Sequence, residues 1–172
     1  AAADVVGATS WHFARYDDAA FDHLVIDEAG QVSLANVMAM SRVARNIVLV
    51  GDPMQLPQPI QGAHPGESGL SSLEYLIGEH RTVPADRGIF LPTTRRLHDD
   101  LCAFISRAVY EGRLENDAAA SAQSLVAPDG TDLAGARVVG ACHEGRSQVS
   151  PEEVERVHAE IESVLGARYV DR

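Results

Sequence analysis

Two carboxylates stand side by side at Asp27 and Glu28, directly after the apolar run Leu24, Val25 and Ile26. A third acidic residue, Asp52, and a glutamine, Gln55, follow a second apolar run, Ile47 to Val50. A carboxylate at the tip of a buried strand can hold a hydrated Mg²⁺ against nucleotide phosphates, because Mg²⁺ keeps several waters and takes only one or two protein carboxylates. Asp27 suits that role. Glu28 suits the orientation or deprotonation of an attacking water, and Gln55 suits a hydrogen-bonding sensor of a terminal phosphate. Phosphoryl transfer needs mostly positioning and charge neutralisation, so these few polar groups can suffice. Taken alone, Asp27-Glu28 reads equally well as a helix cap or a solvated turn, since short motifs match by chance. The second signature, Gly51-Asp52-Pro53-Met54-Gln55-Leu56-Pro57-Gln58, tilts the balance toward chemistry.

Elements that would position these groups are visible around them. The two apolar runs suit strands buried on both faces of a parallel sheet. Between them, residues 32–44 (VSLANVMAMSRVA) read as a helix, with Leu34, Val37, Met38 and Ala44 at helical spacing and Ser33 as its cap. Strand, crossover helix and strand make a right-handed βαβ unit. Ligands of open α/β sheets bind at the carboxyl ends of the strands, where Asp27, Glu28, Asp52 and Gln55 fall.

These motifs carry a family resemblance. DEAG (residues 27–30) resembles motif II, the Walker B motif, of superfamily 1 helicases, and GDPMQLPQ (residues 51–58) resembles their motif III. The forms are similar to the branch that includes the nonsense-mediated-decay RNA helicase. Downstream, residues 93–114 resemble the same branch's next landmark: Arg96, Leu97 and His98 match, whereas Asp99 stands where Pro is usual and Arg95 where an aromatic is usual. Residues 88–94 and 110–114 resemble bacterial proteins that fuse a RecB-type nuclease to such a helicase. The resemblance runs from about Val5 to about Glu155. It implies an α/β fold of the RecA-like P-loop NTPase type, a parallel sheet with flanking helices. Residues 1–90 would be the C-terminal half of a first motor domain, and residues 91–172 the incomplete beginning of a second. It implies ATP and Mg²⁺ as cofactors, bound in the cleft between two such domains. Asp27, Glu28 and Gln55 would form one wall, with Asp27 the metal ligand. Arg96 would be an arginine finger from the other wall. It also implies contacts of Thr9 and Ser10 with the backbone of single-stranded DNA or RNA, a chemistry ordinary for hydroxyls.

Each assignment has a plainer competitor. Thr9 and Ser10 can cap the turn that follows, with Trp11 in the core. Arg96 can be a surface arginine, the reading preferred for Arg95. His98 suits a packed or hydrogen-bonded histidine, and His98 with Cys102, one helical turn on, is weak ground for a metal.

The rest of the chain is read from pattern. Val5 onward suggests a short strand leading to Thr9-Ser10. Residues 57–69 are a Pro- and Gly-rich loop. Residues 68–78 form a helix with Leu70, Leu73, Leu76 and Ile77 on one face, Ser71 and Glu74 as a capping box and Gly78 at its end. Residues 97–110 form a helix with Leu97, Leu101, Phe104, Ile105, Ala108 and Val109 as its buried stripe. Residues 115–135 read as a mobile surface loop and residues 136–141 as a strand. Ser150-Pro151-Glu152-Glu153 opens a helix with Val154, Val157, Ile161, Val164 and Leu165 on one face.

Composition bounds the rest. The chain has 172 residues, 45% of them hydrophobic, and a net charge of −11 from 25 acidic and 14 basic residues. That charge argues against a free-standing, electrostatically driven nucleic-acid binder. Two cysteines, Cys102 and Cys142, imply neither a disulfide framework nor a metal or iron–sulfur site. Cytoplasm is the expected compartment and a membrane partner is not expected. The natural start is expected to lie upstream, since residue 1 is Ala. No G-x-x-x-x-G-K-[ST] phosphate loop occurs in these residues, so the segment is expected to bind and hydrolyse ATP poorly alone and to need the remaining motor segments. The leading reading is an ATP-dependent helicase or translocase segment. Its rivals are a degenerate, non-hydrolysing scaffold and a nuclease using Asp27 and Glu28 as metal ligands, the latter needing more clustered carboxylates.

Overall fold

The computed structural model describes residues 3–16, 18–56, 59, 64–133 and 135–170. Pro57 and Gln58, the end of the second signature, lie outside the described residues. The chain is mixed α/β and divides into two compact units, Ala1–Phe90 and Leu91–Arg172.

In the first unit the short helix α1 (Ser10–Phe13) leads to β1 (Phe21–Ile26), a 3-10 turn at Ala29–Gln31, helix α2 (Leu34–Met40) and β2 (Ala44–Leu49). β1 and β2 pair in parallel, with Phe21 opposite Ala44 and Ile26 opposite Leu49. The expected strand–helix–strand unit is therefore present. Ser33 caps α2 as anticipated, its hydroxyl accepting from the Asn36 N–H at 3.3 Å. Helix α3 (Ser72–Ile77) begins four residues later than the pattern suggests, because the capping box sits at Ser71 and Glu74 and fixes the first turn there. Its core-facing residues, Leu73 and Ile77, join Leu24, Ile26, Ala29, Val37, Met40 and Val43 in one buried cluster.

Leu70 and Leu76, expected on the buried face of that helix, are exposed, and further expectations for this unit fail. The strands are covered on one face only: Leu24 and Ile26 are buried, but Val25 is 62% exposed and Val48 and Val50 are also open, since α2 and α3 supply a single layer. Met38 points outward and Met40 inward, so the buried stripe of α2 turns away from the expected position. Val5 to Ala8 form no strand, and none of the strands among the described residues pairs with them.

In the second unit, β3 (Thr93–Thr94) pairs in parallel with β4 (Glu115–Asn116), and helix α4 (Asp99–Val109) connects them. His98 is the N-cap of α4, its Nδ1 accepting from the Asp100 N–H at 3.4 Å, which is the hydrogen-bonded histidine anticipated for it. The chain then folds back on α4: Leu114 N–H donates to the Ser106 hydroxyl at 3.1 Å and Gly112 N–H to the Ser106 carbonyl at 2.9 Å. Cys102 and Ser106 are consequently the buried residues of α4, while Phe104, expected in the stripe, is exposed. Burial pushes the Cys102 thiol pKa up, with Asp99 and Glu115 adding to the effect.

Residues 115–135 are not the expected structureless loop. They hold β4, helix α5 (Ala118–Ser121, capped by Asp117) and β5 (Ser124–Val126), which pairs antiparallel with β6 (Arg168–Val170). Residues 136–141 form no strand, and Val138 is fully exposed. Helix α6 (Pro151–Val164) starts where the pattern places it, with the Ser150 hydroxyl accepting from the Glu153 N–H at 3.3 Å. None of its residues is buried: its apolar face instead lines an open groove of about 580 Å³ with Val139 and Ala141.

Candidate functional site

The site is built where β1 ends. Asp27 is exposed, and its Oδ1 accepts from the next N–H, that of Glu28, at 2.9 Å. Glu28 adopts a left-handed backbone conformation (φ 52°, ψ 39°), unusual for a residue with a side chain. The turn it makes leads straight into Ala29, which is fully buried. Such local strain persists only where the surroundings enforce it.

Those surroundings are the loop after β2. Val50 N–H donates to the Ile26 carbonyl and Ala29 N–H to the Val50 carbonyl, both at 2.9 Å, extending the sheet's pairing by one step. The two turns then touch. A Cβ on Gly30 would sit 2.3 Å from the Asp52 carbonyl oxygen, and one on Gly51 would sit 2.8 Å from the Ala29 nitrogen. Glycine at both positions is therefore a steric requirement of the close approach. Asp52 Oδ1 accepts from the Met54 N–H at 2.9 Å, an Asx-type turn that shapes the loop carrying the exposed Gln55. The structure thus brings Asp27 and Glu28 onto one edge with the start of the Gln55 loop.

The other predicted residues stand elsewhere. Thr9 is the N-cap of α1 by backbone geometry, its carbonyl accepting from the His12 and Phe13 N–H groups at 3.0 and 3.2 Å, but its hydroxyl makes no capping bond. Ser10 is the first residue of that helix. Trp11, placed in the core by the plainer alternative, is 75% exposed. α1 is fixed to the start of β1 through aromatic contacts, with Phe13 and Phe21 edge-to-face at 6.3 Å and Tyr16 and Phe21 at 5.5 Å. In the second unit Arg96 lies just before α4. Its N–H donates to the Thr94 hydroxyl at 3.3 Å and its exposed side chain forms no ion pair among the described residues. Arg95 is engaged instead, with Nε 3.6 Å from an Asp117 carboxylate oxygen.

Asp27 suits a hydrated divalent ion. Its Oδ1 accepts from the Glu28 N–H, and the residue is exposed. Among the described residues no group of three or more His, Cys, Asp or Glu side chains is arranged to hold a metal. A single carboxylate with waters and phosphate oxygens is the coordination Mg²⁺ ordinarily takes.

Sequence reasoning missed two residues of this site. Ala29 and Ser72 are buried together, and the Ser72 hydroxyl donates to the Ala29 carbonyl at 3.0 Å across a separation of 43 residues. Ser72 lies in the first turn of α3, so the only local signal pointing to it was the neighbouring capping box.

A parallel strand pair with helices on its covered face, tipped by Asp27-Glu28 and Gly51-Asp52, defines the class: part of a RecA-like helicase domain. Residues 2–61 match the family model described as an AAA domain. The chain is 31% identical over 105 residues to the probable helicase MAGATAMA 3 of Arabidopsis thaliana, covering 60% of this chain and 12% of that protein. It is 33% identical over 95 residues to the DNA replication ATP-dependent helicase/nuclease dna2 of Schizosaccharomyces pombe, covering 55% of this chain and 7% of that protein. It is 31% identical over 116 residues to the mouse 5'-3' DNA helicase ZGRF1, covering 65% of this chain and 6% of that protein. These matches make the chain similar to superfamily 1 helicases of the nonsense-decay-helicase-like branch, over part of its length. It spans between 6% and 12% of the length of these three relatives. Among the described residues no helix is long and apolar enough to cross a membrane.

Proposed function

We propose that this chain is the ATP-hydrolysing middle of a nucleic-acid helicase or translocase. Asp27 holds Mg²⁺ on the phosphates of ATP. Glu28 orients and deprotonates the attacking water. Gln55 senses the terminal phosphate, and Arg96 supplies a positive charge to it as an arginine finger. Thr9 and Ser10 contact the backbone of single-stranded DNA or RNA. The observation that carries the reading is the junction of the two signature turns. Glu28 is held in a strained conformation by the loop that also bears Gln55, so a change at one is felt at the other. Strain kept at such a point favours a functional over a merely structural turn.

All 14 basic residues of this chain are arginines. The motor reading therefore needs the phosphate-cradling lysine of P-loop enzymes to come from the remaining motor segments, and under it the chain alone is expected to bind ATP weakly. The helicase/nuclease name of the dna2 relative supports a fused nuclease as a partner, and a cytoplasmic site of action accords with the two unpaired cysteines.

The test is strand-stimulated ATP turnover by the longer protein carrying this segment, wild type beside Glu28→Gln. Turnover should fall by about 10²-fold or more in the variant while nucleotide binding survives, the magnitude usual for loss of a positioned general base. Equal and negligible turnover in both would replace the motor with the non-hydrolysing scaffold.

A further inference from the structure

Ala29 is a hub whose two backbone groups point to opposite ends of one loop. Its N–H donates to the Val50 carbonyl at 2.9 Å, immediately before the loop that carries Asp52 and Gln55. Its carbonyl accepts from the Ser72 hydroxyl at 3.0 Å, immediately after that loop has returned to the core. Two more bonds hold the returning segment: Leu34 N–H donates to the Leu70 carbonyl at 2.8 Å and Ser72 N–H to the Val32 carbonyl at 2.9 Å. Ser33 and Ser71 form an isolated antiparallel bridge at the same place. Alongside these bonds, the described ends of this segment, at Val50 and Ser72, are thus both bonded to one residue, Ala29. That residue directly follows the strained Glu28.

We propose that Ser72 is a positioning residue: through the Ala29 carbonyl it braces the turn that aims Glu28, and it ties that aim to the position of the Gln55 loop. The inference rests on the motor reading for its functional half. Its structural half stands alone. The Ala29 carbonyl also accepts from the Val32 N–H at 3.3 Å, so removing the hydroxyl does not leave that carbonyl unsatisfied and the unit keeps its fold. What is lost is the side-chain tie from α3 to the Ala29 carbonyl, while the backbone bonds of Leu34 to Leu70 and Ser72 to Val32 remain. A brace of this kind affects geometry at the reacting group, and a displacement there lowers kcat without weakening nucleotide binding.

Two measurements test it. The first is amide hydrogen exchange on the 172-residue chain, wild type beside Ser72→Ala. Exchange at the Ala29 amide is expected to quicken by about tenfold, with interior β1 and β2 amides changed by less than about twofold, the signature of a local opening. An unchanged Ala29 amide, or a uniform rise at every core amide, overturns the brace. The second is strand-stimulated turnover by the longer protein, where Ser72→Ala is expected to lower kcat by about tenfold with KM for ATP within about twofold. Ser72→Cys, close in size with a weaker donor, is expected to fall between. Turnover that collapses in Glu28→Gln yet stays at the wild-type level in Ser72→Ala overturns the functional half and leaves the motor reading intact. A wild-type protein without turnover overturns the motor reading, and the exchange result still decides the brace.

Discussion

The turns at Asp27–Gly30 and Val50–Asp52 differ from the segment at residues 136–161 in one respect that explains most of their behaviour. Both contain apolar residues, glycines and a well-capped helix nearby. In the first, every feature meets a partner: Gly30 against Asp52, Ala29 against Val50 and Ser72, Leu73 in the core. In the second, a Cβ added at Gly140 would meet nothing within 4 Å, Val138 is fully exposed and α6 buries nothing. Amphipathic pattern and capping start a helix; whether its face is covered is decided by what stands opposite.

Substitutions can break or sharpen that contrast. Gly30→Ala drives a methyl into the Asp52 carbonyl and should lower the stability of the first unit by about 3 kcal/mol, whereas Gly140→Ala should change stability by less than about 0.5 kcal/mol. Urea unfolding with a probe in each unit would show it, and equal effects would erase the distinction. Next in size, Leu73→Ala should cost about 2–3 kcal/mol by emptying a core position, against about 0.5 kcal/mol or less for Ile161→Ala on the open face of α6. The same unfolding curves supply the comparison. Capping should ignore the contrast altogether: Ser71→Ala and Ser150→Ala should each lose about 1 kcal/mol of local helix stability, read as faster exchange in the first turns of α3 and α6. The smallest perturbation is chemical. Cys142 is exposed and should be alkylated readily, while Cys102, buried and with its thiol pKa raised, should react more slowly and need higher pH. The sign follows from burial: the folded state keeps the Cys102 proton to higher pH than the unfolded chain does, so this contribution to stability is full below the ordinary thiol range and is lost as pH rises from that range through the raised folded value. Mass spectrometry of alkylated peptides across a pH series would settle the order.

Local signals were legible in the sequence. Ser33, Ser71 with Glu74, and Ser150 with Pro151 each cap the helix assigned to them, because a cap is read by the backbone a few residues away. The parallel pairing of the two apolar runs was legible from the helical pattern between them, which makes a strand–helix–strand crossover, and with it the placement of Asp27 and Glu28 at a strand end. Properties that depend on distant partners were not. The open faces of Val25 and Val48 follow from the single helix layer, which periodicity does not report. Cys102 rather than Phe104 is buried because residues 112–114 return onto Ser106. Residues 115–126 gain structure from Pro92, Thr94 and the β6 strand, all remote in sequence. Within the candidate site, the acidic chemistry could be read from residue types, whereas Ser72 became visible only through its bond to Ala29.

The left-handed turn at Glu28 has a consequence for anyone engineering this chain. Glycine adopts that conformation without strain, and replacing a side-chain residue there typically raises stability by about 0.5–1 kcal/mol. A directed-evolution campaign rewarding thermal tolerance would therefore drift toward glycine at position 28. Its winners would be better folded and would have discarded the carboxylate, so heat resistance in such a library would be a poor guide to which clones still work.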